Sequence, residues 1–272
     1  MKQILAANRL RLTKSLGQNF LHDRNQLCRI ADAAELKIGD PVLEIGPGLG
    51  ALTQFLLDQQ ARVLAIETDR RLCELLQKRY CNCPNLTLVH ADALDYLRQS
   101  EMSWKNWKLV SNLPYSVASP ILVELAQANG CPERLVATLQ LEVARRLMAA
   151  DGDRDYGVLT LLIQLRYTPW TWFKISSTCF FPAPNVDSAC VTLVRRAEPL
   201  LSPDHAKSFE RIVKRGFSQR RKIMSKLLKE DWPAASIAAA FAQLRMAPEV
   251  RAEKVSLEQF VQLTRLLAHD SP

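Results

Sequence analysis

The sequence predicts an α/β fold: a doubly wound, mainly parallel sheet with an antiparallel edge, followed by a small helical domain. Three observations predict it. Short apolar runs of β type alternate with helical patterns between Pro41 and Arg196, the first run ends in a glycine-rich turn, and the β-type runs stop after Pro199. The first run, Val42-Leu43-Glu44-Ile45, passes through Gly46-Pro47-Gly48-Leu49-Gly50 into a segment where Leu52, Phe55 and Leu56 recur at helical spacing. Val63–Ile66 follows, and then Leu72, Leu75 and Leu76 repeat the helical pattern. The runs Leu86–Val89, Lys108–Ser111 and Leu135–Leu139 complete five parallel strands. Leu159–Tyr167 and Ala189–Arg196 have no long helix between them and are predicted to form the antiparallel edge.

Beyond Glu198-Pro199, helices are predicted over residues 204–228, 234–244 and 256–268, with Pro203, Pro233 and Pro248 as punctuation. Within the first, Ser218–Lys229 puts Ile223, Met224, Leu227 and Leu228 on one face and Lys222, Lys226 and Lys229 on the other. The expected domains are 1–199, with a basic segment at 1–24, and 200–272.

Composition narrows the function. The chain has 272 residues, 48% apolar and 24% charged, an ordinary mixture for a globular protein. No stretch approaches the roughly 18 apolar residues of a membrane span, and the amino-terminal residues lack the apolar core of a secretory signal. A cytoplasmic protein with no membrane partner is expected. The seven cysteines are scattered without metal-ligand spacing, so no metal is expected. Charge is more telling. The formal net charge is +8, and residues 207–229 alone carry nine basic side chains against one acidic, Glu210. Residues 1–24 add five basic against one acidic. Two separated basic patches suggest a polyanionic partner, although a charge run is more often a solvated helix face.

Glycines at a strand-to-helix turn let a ligand approach the backbone at the carboxyl end of a sheet. Gly46 and Gly48 belong to such a turn, and Glu67, about twenty residues on, ends the next strand where a carboxylate can accept ribose hydroxyls. This much also fits a nicotinamide enzyme. The spacing, however, is G-x-G-x-G rather than G-x-G-x-x-G, with Ala51 in the sixth position. Asp92, after the third strand, can meet an adenine amino group. Together these features favour S-adenosylmethionine. The fourth strand ends in Asn112-Leu113-Pro114-Tyr115, a turn suited to methylating a planar exocyclic amine. The Asn112 oxygen and the Leu113 or Pro114 carbonyl can accept the amine hydrogens, Pro114 fixes the turn, and Tyr115 offers a flat surface for a base.

With these residues in place, the chain resembles the small-subunit ribosomal RNA adenine N6,N6-dimethyltransferases. The resemblance rests on Ser15–Leu21, Val42–Gly50, Ala65–Glu67, Asn112–Tyr115, Phe180–Ser188 and Phe217–Lys222. It implies a Rossmann-like class I methyltransferase sheet and S-adenosylmethionine as cofactor, contacted by Asn19, Leu21, Gly46, Gly48, Glu67, Asp92 and Asn112. It also implies that Tyr115 and Phe181 hold a flipped adenine, and that Arg220, Arg221, Lys222 and Lys226 meet RNA. The implied substrate is a pair of adjacent adenosines in a 3′-terminal hairpin of small-subunit rRNA, modified by a monomer during subunit maturation. Two departures stand out: Leu141 where a lysine is common, and Ser116-Val117-Ala118-Ser119 in place of a Tyr-Asn-Ile-Ser type of run. A non-catalytic assembly factor on the same fold and a DNA adenine methyltransferase are the competing readings.

Overall fold

The computed structural model describes residues 19–128 and 130–268, so the basic residues Lys2 to Lys14 and the Ser15–Gln18 part of the first block lie outside the described residues. The chain forms two compact units. The first comprises residues to Ala144 together with Thr168–Arg195; the second takes Arg145–Tyr167 and the chain from Arg196 onward. Residues 145–167, grouped with the first domain on sequence grounds, therefore fold with the second unit.

The first unit is built on a seven-stranded sheet. Its strands are β2 (Pro41–Ile45), β3 (Arg62–Glu67), β4 (Leu86–His90), β5 (Lys108–Asn112), β6 (Arg134–Gln140), β7 (Tyr167–Ile175) and β9 (Ser188–Arg195), in the order β4-β3-β2-β5-β6-β9-β7. Strands β2 to β6 are parallel, and β9 runs antiparallel to β6 with Ser188 opposite Gln140 and Val194 opposite Arg134. The order reverses at β2, which places the ends of β2 and β5 beside a crevice where α/β sheets bind ligands. Two short strands, β1 (Phe20–Leu21) and β8 (Phe180–Phe181), form a separate antiparallel pair.

The connecting helices of this unit are α1 (Arg24–Ala33), α2 (Ala51–Asp58), α3 (Arg70–Arg79), α4 (Ala93–Gln99) and α5 (Ala118–Gln127). Each buries one stripe. In α1 the stripe is Leu27, Ile30 and Ala31; in α3 it is Leu72, Cys73 and Leu76. Caps set where several begin: Asp23, Asp69 and Asp92 each accept a backbone N–H from the first turn of the helix that follows. The central strands read as continuous apolar runs because both their faces are covered, and Val42, Leu43, Leu109 and Val136 have no exposed surface.

The predicted strand at Leu159–Tyr167 is the one misassigned element of the sheet. Val158–Gln164 is a helix, α7, and the edge strand β7 begins at Tyr167. A short, continuously apolar run has no period to separate a buried helix from a buried strand. Tertiary bonds settle it: the Thr160 hydroxyl donates to the Arg146 carbonyl at 2.6 Å, and the Gln164 amide donates to the carbonyls of Leu147 and Ala149. These partners lie on and just beyond α6 (Leu141–Met148).

The second unit adds α8 (Ala206–Gly216), α9 (Met224–Leu228), α10 (Ala234–Gln243) and α11 (Leu257–Leu267). The expected helix over 204–228 is thus broken, with residues 217–223 lying between α8 and α9. The predicted division of faces still holds at α9, where Met224, Leu227 and Leu228 are buried while Lys222, Lys226 and Lys229 are exposed.

One charge lies deep in the first unit. Lys108 on β5 is nearly buried, and its Nζ donates to the Glu35 carbonyl and the Asp40 carboxylate, each at 2.7 Å. The Glu133 carboxylate lies farther off, at 3.5 Å, so removing Asp40 takes away the nearer of two counter-charges. Asp40→Ala should cost about 1–3 kcal/mol, whereas Asp40→Ala with Lys108→Met should recover part of the loss. Urea denaturation of both variants checks this; equal losses would show that the pair carries no coupling.

Candidate active site

The carboxyl ends of β2, β3, β4 and β5 open into a cavity of about 290 Å³. Asn19, Gly46, Gly48, Glu67, Asp92 and Asn112 all line it, as do Leu113, Pro114 and Tyr115. Residues far apart in sequence thus share one wall because four parallel strands end together.

The glycine turn is held open by geometry. Gly46, Gly48 and Gly50 all have left-handed backbone angles, at φ 69°, 60° and 76°. At Gly48 a Cβ would fall 2.7 Å from the Phe20 ring, and at Gly50 it would fall 2.8 Å from Leu76. Any side chain at Gly48 is therefore excluded twice, by φ and by space. The Gly48 N–H donates to one Glu67 oxygen at 3.1 Å, and the Asp69 N–H donates to the other at 2.9 Å. An ionised carboxylate has about four acceptor positions, so two remain for hydroxyl donors. Glu67 is only 4% exposed. Burial raises its carboxyl above the ordinary value, partly offset by the amides of Asp69 and Gly48.

Asp92 has a structural duty as well. Its Oδ1 accepts the N–H groups of Leu94 and Asp95, capping α4 at the cavity edge. The side chain is exposed. His90, at the end of β4, places Nε2 3.2 Å from the Thr68 carbonyl.

Asn112 is the most constrained polar group of the site. Its Nδ2 donates to the Asn19 carbonyl at 3.1 Å, which fixes the orientation of the amide. Its Oδ1 is then left buried with no hydrogen-bond partner. An orphaned acceptor of this kind costs about 1–3 kcal/mol, and at a cavity wall it marks a place for a donor. Beside it, the Pro114 carbonyl accepts the Val117 N–H at 3.1 Å and starts the turn into α5. The Tyr115 hydroxyl lies 2.5 Å from Ser188 Oγ on β9, which holds the ring in place.

Two expected residues sit differently. Leu21 is 3% exposed and packs into the core with Leu27 and Val42, so its side chain is not in the cavity wall. Phe181 is also outside that wall; it pairs with Phe20 across β1 and β8 and packs on the cluster of Phe20, Leu49 and Leu72. Sequence reasoning passed over Phe20, Leu72, Leu94 and Val117, which supply apolar wall. Phe20 lies between Asn19 and Leu21, within the Ser15–Leu21 segment that carries the resemblance. It also missed Glu44, fully buried beneath the turn, where burial pushes the carboxyl up to about 8 and one oxygen has no partner.

The ribosomal RNA adenine dimethylase family model matches residues 9–269. The chain belongs to this family. Among family relatives, the ribosomal RNA small subunit methyltransferase A of Latilactobacillus sakei is 37% identical over 98% of this chain and 93% of its own length. That of Moorella thermoacetica is 38% identical over 94% and 92%. Among solved structures, the 23S rRNA methyltransferase ErmE superposes with a TM-score of 0.69 at 32% identity, covering 92% of this chain and all of that one. A dimethyladenosine transferase from Plasmodium falciparum gives 0.79 at 25% identity, covering 92% and 98%.

The site residues fit the S-adenosylmethionine of a family methyltransferase. A cradle that a Cβ at Gly48 would fill, a carboxylate with two acceptor positions left and an orphaned amide oxygen lie in one cavity. Among the described residues no cluster of three or more His, Cys, Asp or Glu could hold a metal.

In the second unit the basic residues of 207–229 are partly spent on ion pairs. Arg211 and Arg215 both bond Asp231, Arg215 also bonds Glu230, and Lys214 pairs with Glu210. The Arg220 guanidinium donates to the carbonyls of Arg154 and Tyr156, at 3.1 and 3.0 Å. It tethers its loop while remaining exposed, and Arg221, Lys222 and Lys226 are exposed beside it in sequence.

Hydroxyl donors favour the ionised form of Glu67. Cofactor affinity should therefore fall as pH drops through the raised Glu67 range, sooner than an ordinary glutamate would impose. Calorimetric titration of S-adenosylmethionine against pH should show this break, and Glu67→Gln should bind weakly with no break. A break that persists in Glu67→Gln assigns the titration to another group.

Proposed function

We propose that this protein transfers two methyl groups from S-adenosylmethionine to N6 of adenosines in small-subunit rRNA. The targets are two adjacent adenosines in a 3′-terminal hairpin, reached in an immature subunit by the enzyme acting as a monomer. The observation that carries this reading is the partnerless Asn112 Oδ1 in a cavity it shares with Pro114 and Tyr115, in a chain of the rRNA adenine dimethylase family.

S-adenosylmethionine supplies a methyl group already activated by its sulfonium. Glu67 accepts the ribose hydroxyls, Asp92 meets the adenine amino group, and Asn19, Gly46 and Gly48 present backbone to the remainder. Leu21 contributes through its backbone, since its side chain faces the core. Asn112 Oδ1 accepts one hydrogen of the target N6. The Leu113 or Pro114 carbonyl accepts the other, the Pro114 oxygen keeping a second lone pair beside its bond from the Val117 N–H. Adenine N6 is a weak nucleophile while its lone pair is delocalised into the ring. Two acceptors turn it towards the methyl and stabilise the positive charge that develops on nitrogen. Alignment of this kind contributes roughly 7–11 kcal/mol. Tyr115 holds one face of the flipped base, and Phe181 closes on the other. The proton leaves to solvent. After one transfer N6 still bears a hydrogen, which Asn112 orients for the second.

Asn112→Ala should lower methyl transfer about 10²–10³-fold while RNA binding persists. Nucleoside mass spectrometry on immature small subunits should show N6,N6-dimethyladenosine as the main product of the unaltered enzyme. Near-normal turnover in Asn112→Ala, or a stall at the monomethyl product with fresh cofactor, would overturn the reading.

The exposed cations Arg221, Lys222 and Lys226, together with Arg220, meet RNA phosphates in this account. Reversing the charge of Arg221, Lys222 and Lys226 should weaken RNA binding and make its dependence on salt shallower, because fewer counterions are released. An unchanged slope would leave the run a solvated helix face.

A further inference from the structure

The edge strand β7 carries a surface that the reaction has not used. Its sequence is Tyr-Thr-Pro-Trp-Thr-Trp-Phe-Lys-Ile, and Tyr167 and Ile175 at its two ends have no exposed surface. Alternation places Thr168, Trp170, Trp172 and Lys174 on one face of the strand, and all four are exposed. Trp170 is 66% and Trp172 45% exposed. The largest aromatic side chains are thus held in water on a strand whose other members include a buried tyrosine and a Phe173 ring covered at 3.9 Å by Arg29. Exposed aromatic pairs on a rigid strand mark an interaction surface.

The chemistry of this face selects its occupant. It contains no aliphatic residue, and its two adjacent aromatic positions are flanked by Thr168 on one side and Lys174 on the other, which suits stacked bases better than an aliphatic protein patch. Side chains two residues apart on a strand are separated by two rises of 3.3–3.4 Å, or about 6.7 Å. That is close to twice the roughly 3.4 Å spacing of successive nucleotides on one strand. A base can therefore enter between the two indoles and a second can cover the outer one.

The face is also joined to the base pocket. Lys174 bonds Asp187 at 2.6 Å, Asp187 accepts the Ser177 N–H at 3.1 Å, and the neighbouring Ser188 holds the Tyr115 hydroxyl. The strand and the wall of the adenine site are thus two ends of one bonded segment, and the intervening residues 182, 183, 185 and 186 are exposed.

We propose that Trp170 and Trp172 form a stacking platform for unpaired nucleotides of the RNA substrate that flank the target adenine. This rests on the RNA-methylating reading above. It assigns a part of the substrate contact that is independent of phosphate charge, and its occupant is single-stranded RNA.

The test uses a fluorescein-labelled ten-nucleotide oligo(A) and immature small subunits. Trp170→Ala with Trp172→Ala should weaken oligo(A) binding by about tenfold or more, with an unchanged salt slope and unchanged cofactor affinity. Trp170→Phe with Trp172→Phe should restore binding to within a few fold. On immature subunits the alanine pair should raise KM and leave kcat near its original value. Quenching of intrinsic tryptophan fluorescence by oligo(A), lost in the phenylalanine pair, gives a second measure should the alanine pair fold poorly. Unaltered oligo(A) affinity in the alanine pair, or absence of quenching in the original protein, overturns the platform. Weakened binding to subunits with unchanged oligo(A) binding does so too, and would assign the face to a ribosomal protein. Loss of all methyl transfer by the original enzyme would instead refute the proposed function, and the oligo(A) result would stand apart from it.

Discussion

The site is organised by one buried carboxylate. Glu67 ends β3, yet its two oxygens reach the backbone on either side of the crevice, at Gly48 in the turn after β2 and at Asp69 before α3. Those two bonds tie the glycine turn to the neighbouring strand and fix the distance between the walls. The arrangement needs Gly48 to be glycine, since a Cβ there would press into Phe20, and Phe20 in turn is held by the β1–β8 pair. A second tie, from Asn112 Nδ2 to the Asn19 carbonyl, joins β5 to the chain just before β1. The two ties meet around the same cavity, so the positions of donor and acceptor groups follow from backbone bonds rather than from loop chance.

Much of this was legible before any coordinates, for identifiable reasons. Strands covered on both faces must read as apolar runs, and the five parallel strands were found within a residue or two of their ends. The glycine turn, Glu67, Asp92 and Asn112–Tyr115 stood at strand ends, which topology alone brings together. The failures are equally specific. Leu159–Tyr167 lacks any period, so a helix fixed by Thr160 and Gln164 looked like a strand. The resemblance implied Leu21 without saying which of its atoms would serve, and β-pairing turns its side chain to the core and Phe20 to the cavity. Glu44 resembled an ordinary strand carboxylate, since nothing in a sequence states that a side chain is sealed from water.

The basic carboxyl-terminal segment shows why counting charge in a window is a coarse guide. Nine cations at 207–229 gave the largest surplus in the chain. Glu230 and Asp231 lie just past that window, and folding brings them onto Arg211 and Arg215. Those pairs offset part of the surplus, and the proposed RNA contact falls on the shorter stretch after α8, where helix gives way to turn. That break leaves Arg221 and Lys222 exposed outside any helical stripe, beside Arg220, which bonds the carbonyls of Arg154 and Tyr156.

The sheet order carries a consequence for how the chain is made. β7 precedes β9 in sequence but lies outside it, with β9 between β6 and β7. As the polypeptide leaves the ribosome, β7 therefore has no strand to join until Arg195 has emerged, and the β6 edge stays open over the same interval. The second unit waits longer still, because Arg145–Tyr167 is synthesised before the Arg196 segment with which it packs. Such long-range closure slows folding and exposes unpaired strand edges to neighbouring chains. A nascent molecule of this protein is most vulnerable to aggregation between the synthesis of β6 and that of β9, a window in which chaperone capture has the most to protect.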